Sequence, residues 1–189
     1  MKRLVIFASG SGSNAENIIN YFKDSTKISV VSVLSNRKNA GVFERCKQLG
    51  VNCFYFPKED FTTSDKVLSV LKKSADYIIL AGFLLKVPES IIATFPNRII
   101  NIHPALLPKY GGKGMYGMHV HAAVKENGET ETGITIHFVN EHYDEGAIIF
   151  QTKTDLNDTD TPEDIAQKIH LLEYEYFPRI IKKTILDNG

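Results

Sequence analysis

At 189 residues, the chain has room for one domain, and a composition 43% hydrophobic and 23% charged can bury a core. Its 22 basic and 22 acidic residues leave no formal net charge, which argues against nucleic-acid binding through bulk basicity. Cys46 and Cys53 form neither a CxxC nor a metal pair. The basic start Met1-Lys2-Arg3 leads an apolar run that stops at Ala8, too short for a signal peptide or a membrane span. A cytoplasmic protein with reduced thiols, no metal and no membrane partner is expected.

The first apolar run, Leu4 to Ala8, does not alternate, so it reads as a strand covered on both faces. Ser9-Gly10-Ser11-Gly12-Ser13-Asn14 follows, then a helical stripe of Ala15, Ile18, Ile19 and Phe22. Ile28 to Leu34 is a second strand, ending at Ser35-Asn36-Arg37. A helix over 41–49 stops at Gly50. Val51 to Phe56 is a third strand, closed by Pro57. Ser64 is a candidate cap for a helix over 65–73. Tyr77 to Ala81 is a fourth strand ending at Gly82, Pro88 opens a short helix to Phe95, and Arg98 to Ile102 is a fifth strand. The alternation implies an α/β fold, a doubly wound and mostly parallel sheet with a Rossmann-like N-terminal half.

Beyond residue 100 the pattern changes. His119 to Lys125 reads as a helix. Thr132 to Val139 and Ala147 to Thr154 read as a hairpin around the turn Asp144-Glu145-Gly146. Thr161 or Asp160 caps a final helix, with Pro162 in its first turn and Pro178 placed to kink or divide it. The expected organisation is a single domain over 1–189, with a phosphate-binding half (1–100) and a catalytic half (101–189).

The densest chemistry lies in Asn101-Ile102-His103-Pro104-Ala105-Leu106-Leu107-Pro108-Lys109-Tyr110-Gly111-Gly112. Strand periodicity puts Asn101 and His103 on one side of the chain, and Pro104 biases His103 to an extended backbone. An amide and a titratable ring side by side suit chemistry at a carbonyl. In a doubly wound sheet, residues 10–14, Asn36, 82–86 and 101–103 all fall at the strand ends, where ligands bind. The 9–14 turn lacks the Walker lysine and departs from GxGxxG. Its main-chain N–H groups, the Ser13 hydroxyl and the Asn14 amide suit a single phosphate. His119 and His121 have no third ligand for zinc and read as structural or substrate-contacting. His137 and His142 read as bystanders. The glycine-rich run 111–117 reads as a flexible loop beside the site.

Together these segments, with Leu80-Ala81-Gly82-Phe83, Gly133 to Val139, Asp144-Glu145-Gly146 and Glu173, resemble the phosphoribosylglycinamide formyltransferases, folate-dependent enzymes of purine synthesis. The resemblance runs in order over nearly the whole chain. It implies transfer of the formyl group of 10-formyltetrahydrofolate to the amine of glycinamide ribonucleotide. Asn101, His103 and Asp144 would be catalytic. Gly12, Ser13, Asn14 and Glu173 would hold the ribonucleotide. Leu84, Leu85, Lys86 and Val87, with Asn101 and Asn140, Glu141, His142, Tyr143 and Asp144, would hold the folate. Asn101 and a protonated His103, favoured by Asp144, would stabilise the oxyanion, and Asp144 would take the proton from the nascent ammonium, directly or through water, with no metal required.

The partners expected are these two small molecules and no nucleic acid, in a monomer or homodimer. Relative to that family, Lys113 to Gly117 reads as an insertion. Lys86 stands about where an arginine is expected, the arginine expected near Ser64 is missing, and the chain stops soon after its last helix. A sugar-nucleotide formyltransferase, a formyltetrahydrofolate hydrolase (expected to carry a domain ahead of Met1) or a non-catalytic nucleotide-binding module are the alternatives.

Overall fold

The computed structural model describes residues 1–187. Its centre is a seven-stranded sheet in the order β3-β2-β1-β4-β5-β6-β7. Strands β1 (Lys2–Phe7), β2 (Ile28–Ser35), β3 (Cys53–Tyr55), β4 (Tyr77–Leu80) and β5 (Ile99–His103) are parallel, as the strand-helix alternation requires. β6 (Glu131–Phe138) runs antiparallel to β5, and β7 (Ile148–Asp155) antiparallel to β6. The expected hairpin therefore extends the same sheet.

Both faces of β1 are covered, which explains its unbroken apolar run. Leu4 and Ile6 pack on one side with Ile18 of α1 (Ser13–Phe22) and Ile169 and Phe177 of α7 (Pro162–Asp187). Val5 and Phe7 pack on the other with Phe61 of α3 (Lys58–Thr62), Leu71 of α4 (Lys66–Ser74) and Ile91 of α5 (Glu89–Thr94). The remaining helices are α2 (Val42–Leu49) and α6 (Met118–Glu126). Strand order reverses between β1 and β4, so the ligand crevice of this sheet type opens at the ends of those strands.

Several boundaries differ from the sequence reading for local reasons. β3 is shorter than 51–56 because Val51 N–H bonds back to Cys46 O, completing the left-handed stop at Gly50. Pro57 closes the strand and leads into α3, a short helix with no periodic signal. Ser64 is not a helix cap: its hydroxyl reaches Asp60 O at 3.4 Å, and α4 starts after Asp65 without a side-chain cap. Thr161 does cap α7, its Oγ1 accepting from Asp164 N–H while Asp164 Oδ2 accepts from Thr161 N–H.

Pro178 does not divide α7, which runs unbroken from Pro162 to Asp187. A proline at 178 has no N–H for the carbonyl of Tyr174. Asn17 Nδ2 of α1 donates to that carbonyl instead, at 2.9 Å. This bond pins α7 to α1 next to Glu173.

Candidate active site

Three strand-end loops are tied together below the crevice. Ser9 Oγ donates to Asn36 Oδ1 at 2.6 Å and accepts from Leu84 N–H at 3.0 Å, so the ends of β1, β2 and β4 share one buried hydroxyl. Gly12 precedes α1 at φ 79°, and a Cβ there would come within 2.5 Å of Val42. Only glycine fits that turn.

A cavity of about 180 Å³ opens over this turn, lined by residues 10–14, Gly82, Pro104, His170 and Glu173 among others. Gly12, Ser13, Asn14 and Glu173 thus meet as expected, though 159 residues separate the last two. Their chemistry differs from expectation in one respect. Asn14 Nδ2 donates to Glu173 Oε2 at 2.9 Å, so one amide donor is already committed to the carboxylate. Asn14 Oδ1 is buried without a protein partner. Glu173 Oε2 also meets His170 Nδ1 at 2.9 Å, and this contact raises the imidazole above its ordinary pKa against the opposing effect of burial.

On the other side of β5, a cavity of about 80 Å³ is lined by Phe83, residues 84–87, Asn101, His137, Val139, Asn140, His142, Tyr143 and Asp144. Every expected folate residue is there except Glu141, which is exposed and does not line the cavity. Leu84, Leu85, Val87 and Val139 give it apolar walls, and Lys86 sits 5.9 Å over the Tyr143 ring. His142, read as a bystander from its turn position, lines this cavity.

Asn101 and His103 occupy one face at the end of β5, opposite His137 and Thr135 of β6. His103 is 3% exposed. Its Nε2 lies 2.7 Å from Tyr110 O, a carbonyl that only accepts, so Nε2 carries the proton and Nδ1 presents a lone pair. Nδ1 is 3.6 Å from Asp144 Oδ2. Burial lowers the His103 pKa, and although Asp144 and the Tyr110 carbonyl raise it, the net shift is downward. The protonated ring expected to meet the oxyanion is thus not the form that burial favours at rest: desolvation outweighs the carboxylate and favours the neutral ring.

His137 is a second correction. It is 2% exposed, and its Nδ1 donates to Phe138 O at 2.8 Å. Its Nε2 faces Asn101 Nδ2 at 3.1 Å and Asp144 Oδ1 at 3.6 Å. It sits between the amide and the carboxylate, where the alternating pattern of β6 gave no sign of a partner. Asp144 itself has φ 56°, and Gly146 beyond it cannot carry a Cβ, which would fall 1.7 Å from Phe138 O. Burial would raise the Asp144 pKa. The net shift is nonetheless downward, and the Gly112 N–H, which donates to Asp144 Oδ2 at 2.9 Å, favours the carboxylate.

The loop after His103 is clamped from behind. Thr135 Oγ1 donates to Ala105 O at 2.6 Å and accepts from Leu107 N–H at 3.0 Å, and Gln151 Nε2 reaches Leu107 O at 2.9 Å. The glycine-rich run 111–117, read as a flexible loop, places Gly112 against the carboxylate.

Residues 2–181 match the formyl transferase family. The chain belongs to the formyl transferase family. It is 40% identical over 187 residues to a chloroplastic phosphoribosylglycinamide formyltransferase of Arabidopsis thaliana, covering 95% of this chain and 64% of that protein. It is 32% identical over 191 residues to a phosphoribosylglycinamide formyltransferase of Bacillus subtilis, covering 98% and 95% of the two chains. Among solved structures, a phosphoribosylglycinamide formyltransferase from Bacillus halodurans superposes with TM-score 0.88 at 31% identity, over 100% of this chain and 97% of the other. The chain spans 64% and 60% of the lengths of the Arabidopsis and Vigna unguiculata relatives.

For this formyl transferase family member, no group of three His, Cys, Asp or Glu side chains among the described residues is placed to hold a metal ion. His119 and His121 do not converge with a third ligand. His121 is buried, its Nδ1 has no partner, and burial lowers its pKa. No helix among the described residues is long and apolar enough to cross a membrane.

Proposed function

We infer that this chain transfers the formyl group of 10-formyltetrahydrofolate to the amine of glycinamide ribonucleotide. The observation that carries the reading is the placement of Asn101, His103, His137 and Asp144 at the end of β5, with a polar cavity over the glycine turn on one side and an apolar-walled cavity on the other. A two-substrate reaction needs two such sites meeting at one set of groups.

The residues present suit both partners. The Gly12–Ser13 turn offers main-chain donors at the start of a helix, which suits a phosphate. The Glu173 carboxylate suits hydroxyl donors of a ribose. The apolar walls of residues 84–87 and Val139, with Asn140 as a polar edge, suit a flat heterocycle. The folate supplies the formyl group and leaves with its N10 protonated.

Asn101 has a second amide proton beyond the one facing His137, available to an oxyanion. Such a donor is typically worth roughly 3–4 kcal/mol in the transition state. His103, neutral at rest, offers Nδ1 to the proton shed as the amine attacks. The resulting imidazolium lies beside Asp144, which stabilises it, and is then the acid for the departing nitrogen.

The test is an absorbance assay following the deformylated folate, with and without glycinamide ribonucleotide. Turnover that requires the ribonucleotide is expected. Turnover without it would indicate a hydrolase, and none in either case would remove the reading.

A further inference from the structure

His103 and Asp144 are joined through one short stretch of main chain. Tyr110 O accepts from His103 Nε2, and two residues on Gly112 N–H donates to Asp144 Oδ2. The carbonyl and the amide thus hold the two side chains from the same segment. Tyr110 does this at φ 57°, a left-handed conformation disfavoured for any residue with a Cβ. An external restraint is required, and one is present. The Tyr110 hydroxyl donates to Glu129 Oε1 at 2.9 Å, and Lys109 Nζ meets the same oxygen at 2.9 Å. Burial and then Glu129 raise the Tyr110 pKa, so the phenol keeps its proton. The Lys109 ammonium, then the Tyr110 hydroxyl, lower that of Glu129, so it stays an acceptor.

We propose that Tyr110 and Glu129 are positioning residues that fix the tautomer of His103 by holding the Tyr110 carbonyl on Nε2. Rotation of Tyr110 to the right-handed region would carry that carbonyl away. Among the described residues no other hydrogen bond reaches Nε2, so the proton would then redistribute between the two ring nitrogens, and Nδ1 would lose part of its lone-pair population toward Asp144. The clamp rests on the reading of His103 as the proton acceptor, but the tautomer is observable without any reaction. The other titratable groups around the ring are Asp144 on the β6–β7 turn, His137 on β6, Glu173 on α7 and His121 on α6. Asp144 is tied to the Tyr110 segment through the Gly112 N–H, whereas His137, Glu173 and His121 lie on other elements.

The experiment is ¹⁵N NMR of the imidazoles in the free protein, with His103 assigned by loss of its signals in His103→Asn. It is run on the wild type, Tyr110→Phe and Glu129→Gln, alongside the pH dependence of kcat. The wild type is expected to show the Nε2–H tautomer. Tyr110→Phe is expected to mix the two tautomers and to lower kcat on the order of tenfold, with KM for the ribonucleotide within about twofold. Glu129→Gln, which keeps an acceptor, should show a smaller change in the same direction. An unmixed Nε2–H tautomer in Tyr110→Phe, or a mixture already present in the wild type, would overturn the proposal. A tautomer shift in a protein whose wild type transfers no formyl group would leave the clamp standing and remove the reaction instead.

Discussion

Asn101 and His137 are cross-strand partners on β5 and β6, and their side chains meet with Asn101 Nδ2 3.1 Å from His137 Nε2. With His137 Nδ1 donating to Phe138 O, Nε2 is the acceptor, so the histidine orients the amide. Asn101→Ala is expected to lower kcat by roughly 10²–10³-fold, the usual cost of an oxyanion donor. His137→Phe leaves the amide in place but unheld, and a smaller loss, on the order of tenfold, is expected. Steady-state kinetics of both variants check this. Equal losses would mean that His137 does more than orient Asn101.

The acid limb of activity follows from His103. The ring must be neutral to take a proton, and burial holds its pKa below 6.5 even with Asp144 beside it. Activity is expected to be lost as the pH falls through that depressed value. Asp144→Asn removes the charge that opposes burial, so the limb should move to lower pH while kcat drops at every pH. The pH profile of kcat/KM in the two proteins measures this. A limb that moves upward would reverse the assigned roles.

The fold was legible in the sequence where burial is two-sided. Leu4–Ala8, Tyr77–Ala81 and Ile28–Leu34 read as parallel strands because both faces are covered, and the order of loops at their ends followed from topology. The site was legible in part. Asn101 and His103 were reached because each sits at a strand end, whereas the folate role of residues 84–87 came only with the family resemblance. His137 was not, because a histidine within an alternating strand gives no sign of the amide across the ladder. The resting protonation of His103 stayed open in the sequence, since it depends on how burial weighs against the neighbouring aspartate. The continuity of α7 through Pro178 rests on Asn17, whose role only the packing of α1 on α7 reveals.

Stability should also fall in acid, by a separate route. His103 and His121 are both buried with lowered pKa values, burial being the first cause for each. Unfolding returns each to about 6.5, so below that pH the unfolded chain binds more protons and stability rises with pH. The loss begins as pH falls through 6.5 and ends below the folded values. His121→Phe removes one of these groups and its unpartnered Nδ1. It is expected to stabilise the protein more at pH 5 than at pH 8, as read by urea denaturation. An equal effect at both pH values would show that His121 does not titrate with unfolding.

Glu173 accepts from Asn14 and His170 at the wall of the cavity over the glycine turn. Glu173→Gln keeps the volume but exchanges an acceptor for a donor that then faces the Asn14 amide. The ribonucleotide KM is expected to rise about tenfold, the cost of one charged hydrogen bond, while the folate KM stays unchanged. Two-substrate kinetics separate the two constants. A rise confined to the folate would place the ribonucleotide in the other cavity, beside Tyr143, and exchange the two sites.

Gly12 tests the turn itself. Its φ of 79° and the 2.5 Å approach of a Cβ to Val42 mean that Gly12→Ala must both strain the backbone and displace α2. The expected loss of stability is about 1–3 kcal/mol, with ribonucleotide binding weakened further because the main-chain donors at the start of α1 shift. Of the close atoms, Val42→Ala removes only Cγ2 and leaves Cβ at 2.5 Å and Cα at 2.7 Å from the new methyl. The double variant Gly12→Ala, Val42→Ala is therefore expected to bind no better than Gly12→Ala. Calorimetric titration with the ribonucleotide compares the three proteins. Recovery in the double variant would show that the outer methyl of Val42, rather than its backbone or the left-handed turn, sets the loss.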